Sequence, residues 1–108
     1  MPCARFTSLR AHAGKEAEVH AILDDVGSYQ MGLEGWILGL RLVCAYEPRD
    51  IVGMVIWDTE KQATAAAQSD HVLALMARLK FVAEEHPVAA ELFNITLVRG
   101  ELPAPRKV

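Results

Sequence analysis

Four side chains in this 108-residue chain combine a chemically useful type with a suggestive setting: Trp57, His71, Thr7 and Arg41. Trp57 closes an apolar run, residues 51–57, and is followed at once by Asp58, Thr59, Glu60, Lys61 and Gln62. A tryptophan at such a point can stack on a flat molecule or donate from its indole N–H; a core aromatic that fixes a strand–helix junction has the same signature. His71 opens a helical segment, and histidine is the side chain suited to acid–base work near neutrality. An exposed first-turn residue reads the same way. Arg41 is the charge inside an otherwise apolar strand. An isolated buried cation is costly, so Arg41 is expected to pair with a carboxylate, within the chain or across a dimer, or to face a ligand anion. Thr7, with Ser8, offers hydroxyls that serve a pocket or are ordinary strand positions.

Other reactive types are less promising. Asp24 and Asp25 are adjacent on a helix, so they point about 100° apart and read as a solvated face, not as a paired acid and base. The histidines at 12, 20, 71 and 86 show no H-x-H or H-x₃-H spacing, so no metal site is expected. Cys3 and Cys44 are too few and too far apart for a disulfide framework. Cys44, in an apolar run, reads as a small core residue. Tyr46 reads as a rim residue, and Met54, Met76 and Phe81 as core filling that could also shape an apolar cavity.

The elements that must hold these groups follow from periodicity. Residues 4–12 read as a strand with Arg5, Thr7, Leu9 and Ala11 on one face. Residues 15–30 read as an amphipathic helix, with Val19, Ile22, Leu23, Val26 and Gln30 at the spacing of one face. Residues 36–46 and 51–57 read as two apolar strands joined by a turn at Pro48, the second buried on both faces. Thr59 and Gln62 form a capping-box pattern that starts a helix over 59–68. Ser69-Asp70 supplies a second N-cap, and a helix over 71–85 carries Val72, Leu75, Leu79 and Val82 on one face before Pro87 stops it. Residues 91–99 read as the last strand.

The order β-α-β-β-α-β predicts an α+β, ferredoxin-like fold: a four-stranded antiparallel sheet with helices on one face. Residues 1–100 form one domain, and 101–108 a flexible tail or an arm across a neighbour. The apolar middle strands leave a second sheet face to be covered, and a homodimer through that face covers it most simply.

Composition narrows the function classes. The apolar share is 52 % with 6 % aromatics and a formal charge of −3, which is globular and unlike a disordered chain. The 11 Lys and Arg are scattered, which argues against nucleic-acid binding. No run of about 18 apolar residues occurs, so no membrane helix is expected. The start of the chain lacks a charged then apolar leader. The expectation is a soluble, cytoplasmic protein.

Several short motifs resemble one family. Gly35-Trp36 opening the second strand, the Trp57–Ala63 junction and the break at Ser69-Asp70-His71 are similar to the antibiotic biosynthesis monooxygenases of the dimeric α/β-barrel group, over residues 4–99. The resemblance implies a pocket between helices and sheet that binds a small apolar or aromatic ligand. It implies an oxidoreductase needing no cofactor, in which a phenol or quinone precursor becomes an anion and gives an electron to O₂. Such chemistry needs aimed donors for the anion and a base. On this resemblance Trp57, His71, Thr7 and Arg41 are the pocket candidates. The polyketide-oxidising branch has an Asn where this chain has Gly53 and a Tyr where it has Ala63. The haem-degrading branch has an Asn at the place of Thr7, a Trp near Ala66 and a ligand His near Met76. These differences make a non-catalytic binding protein of the same fold the alternative, with haem degradation a third.

Overall fold

A strand that ends in Trp57 hands over to a helix whose start is fixed by reciprocal capping. The Thr59 hydroxyl accepts from the Gln62 backbone N–H, and the Gln62 side chain accepts from the Thr59 N–H. Two otherwise orphaned donors are satisfied, a cap of about 1 kcal/mol. Gly35 packs against this cap with φ +88°, and a Cβ there would run into the Gln62 side chain. The Asp58 N–H donates to the Gly35 carbonyl at 2.8 Å. The junction and the start of the preceding strand are thereby locked together.

The computed structural model describes residues 1–85 and 91–108. In chain order these form β1 (Cys3–Ala11), α1 (Glu16–Met31), β2 (Trp36–Val43), β3 (Asp50–Trp57), α2 (Glu60–Ala67), α3 (Asp70–Leu79), β4 (Ala83–Glu85) and β5 (Leu92–Asn94). The sheet is antiparallel, in the order β2-β3-β1-β4, and β5 also pairs with β1. β4 takes the Leu9–Ala11 end of β1 and β5 the Cys3–Arg5 end, so the two share one edge position. This is the expected α+β, ferredoxin-like arrangement. Among the described residues no helix is long and apolar enough to cross a membrane.

Register sorts the side chains into rows across the face that the helices cover. Leu9 pairs with Ile51, and Ile51 with Val43. Thr7 pairs with Gly53, and Gly53 with Arg41. Arg5 pairs with Val55, and Val55 with Gly39. Cys3 pairs with Trp57, and Trp57 with Trp36. Leu9 and Ile51 join Val19, Ile22, Val72 and Leu79 in the main core, while Cys3 and Trp57 pack with Ala63 and Ala66. On the opposite face Ala4, Ile37 and Ile56 form a smaller cluster with Phe6, Leu38 and Met54, covered in part by Ile95 and Leu102.

Several element boundaries differ from the sequence expectation. The last helix ends at Leu79, not at 85. The Phe81 and Val82 N–H groups donate to the carbonyls of Arg78 and Leu79, and the chain then enters β4. Val82 stays buried through this turn, which is why its spacing looked helical. Pro87 and His86 lie outside the described residues. The last strand is Leu92–Asn94, extended by a bond from the Ile95 N–H to the Pro2 carbonyl. β2 stops at Val43, so Cys44 and Tyr46 lie in the turn and are exposed; Cys44 is not a core residue. Phe81, in the turn after α3, is also exposed and is not core filling. β3 is buried at its ends and only half-buried over residues 52–55. Arg106 exchanges backbone hydrogen bonds with Gly35 and Trp36 of the same chain, each 2.8 Å.

Candidate functional site

The half-buried middle of β3 marks a cavity of about 410 Å³ between the sheet and helices α1 and α3. Its floor is the two rows in which glycines replace bulk, Thr7–Gly53–Arg41 and Arg5–Val55–Gly39. A Cβ placed on Gly53 meets nothing within 4 Å, and one on Gly39 meets only the Trp36 ring at 3.8 Å. The space exists because these side chains are missing. Trp36 and Trp57 wall one end; Val26, Val72 and Met76 close the helix side.

Trp57 is 1 % exposed. It is a core residue that also walls the cavity. Its indole N–H makes no hydrogen bond within the described residues, yet no sealed side-chain nitrogen there lacks a partner. The small surface that Trp57 keeps therefore includes this N–H. Thr7 lines the floor from β1. Arg41 rises from β2 and pairs with Asp24 of α1, with 2.7 Å between guanidinium N and carboxylate O. Its other terminal nitrogen lies 3.3 Å from His20 Nδ1. Arginine can only donate, so this ring nitrogen accepts and the neutral ring's proton sits on Nε2. Arg5, on the other side of β3, pairs with Glu91 at 3.2 Å.

Trp57, Thr7 and Arg41 thus meet in one cavity. His71 does not join them. It is exposed, stacks on Tyr29 with ring centres 4.2 Å apart, and is not among the lining residues. The α3 register turns the lining face to Val72 and Met76, one residue and five residues on. Asp24 is more than a solvated helix residue, since it lines the cavity and holds Arg41. Met54 and Met76 also line it.

Sequence reasoning missed Arg5, Trp36 and Gln30 as lining residues. Gln30 carried a usable signal: it is a polar residue at the apolar spacing of α1. Among the described residues no group of three or more His, Cys, Asp and Glu could hold a metal ion. The described ionisable groups facing the cavity are Arg5, Arg41 and Asp24. Each arginine is held by a carboxylate, Arg41 by Asp24 and Arg5 by Glu91, so the two guanidiniums offer directed N–H donors with their charge largely balanced.

No family model matches the chain, and no curated protein matches it in sequence. Its structure is similar to that of SnoaB, a cofactor-independent oxygenase from Streptomyces nogalater, with a TM-score of 0.80 and 14 % identity over 93 % of this chain and 98 % of that one. It is similar to proteins named as candidate antibiotic biosynthesis monooxygenases from Nitrosomonas europaea (TM-score 0.79, 15 % identity, 92 % and 94 % covered) and from Deinococcus radiodurans (0.79, 15 %, 94 % and 98 %). The fold is that of the antibiotic biosynthesis monooxygenases, the family that the Trp57–Ala63 junction resembles. At these identities the likeness is one of fold.

Proposed function

We propose that the chain is a cofactor-independent monooxygenase that oxidises a small aromatic or quinonoid substrate in the cavity above Gly53. The observation that supports it most is a half-open, mainly apolar space walled by two tryptophans, with a few charged and polar groups at its floor. Sites of this kind hold flat ligands and orient them with a few placed polar groups. The fold shared with SnoaB supports the reaction class.

The residues suit the chemistry in a definite way. Trp57 and Trp36 stack on the ring system, and the Trp57 N–H and the Thr7 hydroxyl reach its oxygens. Arg5 and Arg41 favour the phenolate or enolate over its neutral parent, which lowers the cost of making it. Asp24 is the described carboxylate in the cavity and would take the proton, directly or through water. The anion then reduces O₂. A ring CH₂ and O₂ become a ring C=O and water, so the substrate supplies every electron and no external reductant is needed.

The alternative is a protein that binds such a molecule without turning it over. Gly53 and Ala63, in place of the polar residues of the polyketide-oxidising branch, favour it. Haem degradation has less support, because Met76 and not a histidine faces the cavity from α3. The test is oxygen uptake with a panel of hydroquinones and anthrones, with binding followed in parallel by tryptophan fluorescence. Uptake above the spontaneous rate supports the oxygenase. Tight binding of one compound with no uptake supports the binding protein, and a Soret shift with hemin would support the third reading.

The active unit in this proposal is a homodimer through the outer sheet face. Leu42 is 52 % exposed there, and Leu40 and Phe93 are also open to solvent. An apolar sheet face of this kind is stable when a second copy covers it.

A further inference from the structure

We infer that Gln30 is a substrate-contacting residue that selects ligands carrying a ring oxygen. Its residue is 7 % exposed and is the buried polar side chain among the described residues. It sits in the last turn of α1, on the same face as Val19, Ile22 and Val26, and it lines the cavity. A residue that buries itself on an apolar helix face is normally apolar, or else bonded to a neighbour, because an unpaired buried amide costs free energy.

Gln30 has no such neighbour. Its side-chain amide makes no hydrogen bond within the described residues, although its backbone carbonyl accepts from the Leu33 N–H at 3.0 Å. No sealed side-chain nitrogen or oxygen there lacks a partner. The amide of Gln30 must therefore keep some accessible surface, and the surface available to it is the cavity. An uncharged group with one acceptor and two donors is thus held, unpaired, above a floor of glycines. Its complement is a hydroxyl or carbonyl on a flat ring, since either pairs with an amide and neither needs a counter-charge. A hydrocarbon ring would leave the amide unpaired and be rejected, which is how buried polar groups give their strongest discrimination.

This inference rests on the cavity being the ligand site of the proposed function, but not on turnover. The test therefore uses binding. 2-Naphthol and naphthalene differ by one hydroxyl, and both can be titrated by quenching of Trp36 and Trp57. The wild type should bind 2-naphthol more tightly than naphthalene. Gln30→Met keeps the shape and removes the hydrogen bonds; it should weaken 2-naphthol by about 5- to 30-fold and leave naphthalene unchanged or tighter. The variant should also melt a few degrees higher, because a desolvated polar group has been replaced by an apolar one. Gln30→Leu should repeat the pattern. A residue with a merely structural bond would instead melt lower when replaced. The inference is overturned if the wild type binds 2-naphthol no more tightly than naphthalene, if both variants weaken the two ligands alike, or if both melt lower. Oxygen uptake plays no part, so loss of the oxygenase reading leaves this result standing.

Discussion

The helix-side face of the sheet has two halves, built from the same three strands and roofed by the same helices. One is filled and the other is hollow. In the filled half Leu9 and Ile51 meet side chains of α1 and α3 and lie at the centre of the main core. In the hollow half the corresponding row is Thr7, Gly53 and Arg41, and the helices bridge over it. Two residues along a strand separate a packed core from a cavity. The difference shows that the site was made by leaving side chains out, while the backbone pairing continued unbroken beneath it. It also shows why the same strand can support both: each half is closed by residues, such as Val26 and Val72, that belong to the core and line the cavity.

Substitutions in the two halves should behave in opposite ways. Ile51→Ala deletes bulk from the filled half and should cost about 2–5 kcal/mol of stability; chemical denaturation measures it, and a loss under 1 kcal/mol would mean that this half is loosely packed. Gly53→Phe adds bulk to the hollow half. Because its Cβ meets open space and a strand suits an aromatic, the melting temperature should hold or rise. Binding of a naphthol or anthrone should fall by about tenfold to hundredfold, since the ring would occupy the ligand's place.

The outer sheet face gives a third contrast. On the proposed homodimer, Leu42→Asp should leave the cavity untouched and halve the mass seen by light scattering; a wild type that already has the mass of one chain, or an unchanged mass in the variant, would contradict that interface. The smallest effect concerns the two thiols. Burial, with Glu60 nearby, pushes the Cys3 thiol up, whereas Cys44 is exposed. One thiol per native chain should therefore react with a disulfide reagent at pH 8, and both after unfolding; two fast thiols in the native state would contradict the packing of Cys3 against Trp57.

What could be read in advance divides along the same line. The capped start of α2 at Thr59 and Gln62 was legible, because both partners lie within one helical turn. So was the element order, which needs only local periodicity. The end of α3 was not, because Val82 keeps the apolar spacing while buried for another reason, and no glycine or proline intervenes before Pro87. The cavity was harder still. Gly53 drew notice as a departure from a family pattern, but its meaning lies in its neighbours Thr7 and Arg41, and that register depends on how the intervening turns close. His71 was misplaced by one step of helix rotation, which hands the cavity to Val72. Gln30 stood out as the polar member of an apolar stripe, but the lack of any side-chain partner is visible only in three dimensions.

The most direct test of the account is oxygen uptake with 1,8-dihydroxyanthrone, comparing the wild type with Gly53→Phe at matched melting temperature. The account predicts uptake above the spontaneous rate in the wild type and a return to that rate when the hollow half is filled. Uptake that is equal in the two proteins, or absent from the wild type, would contradict it.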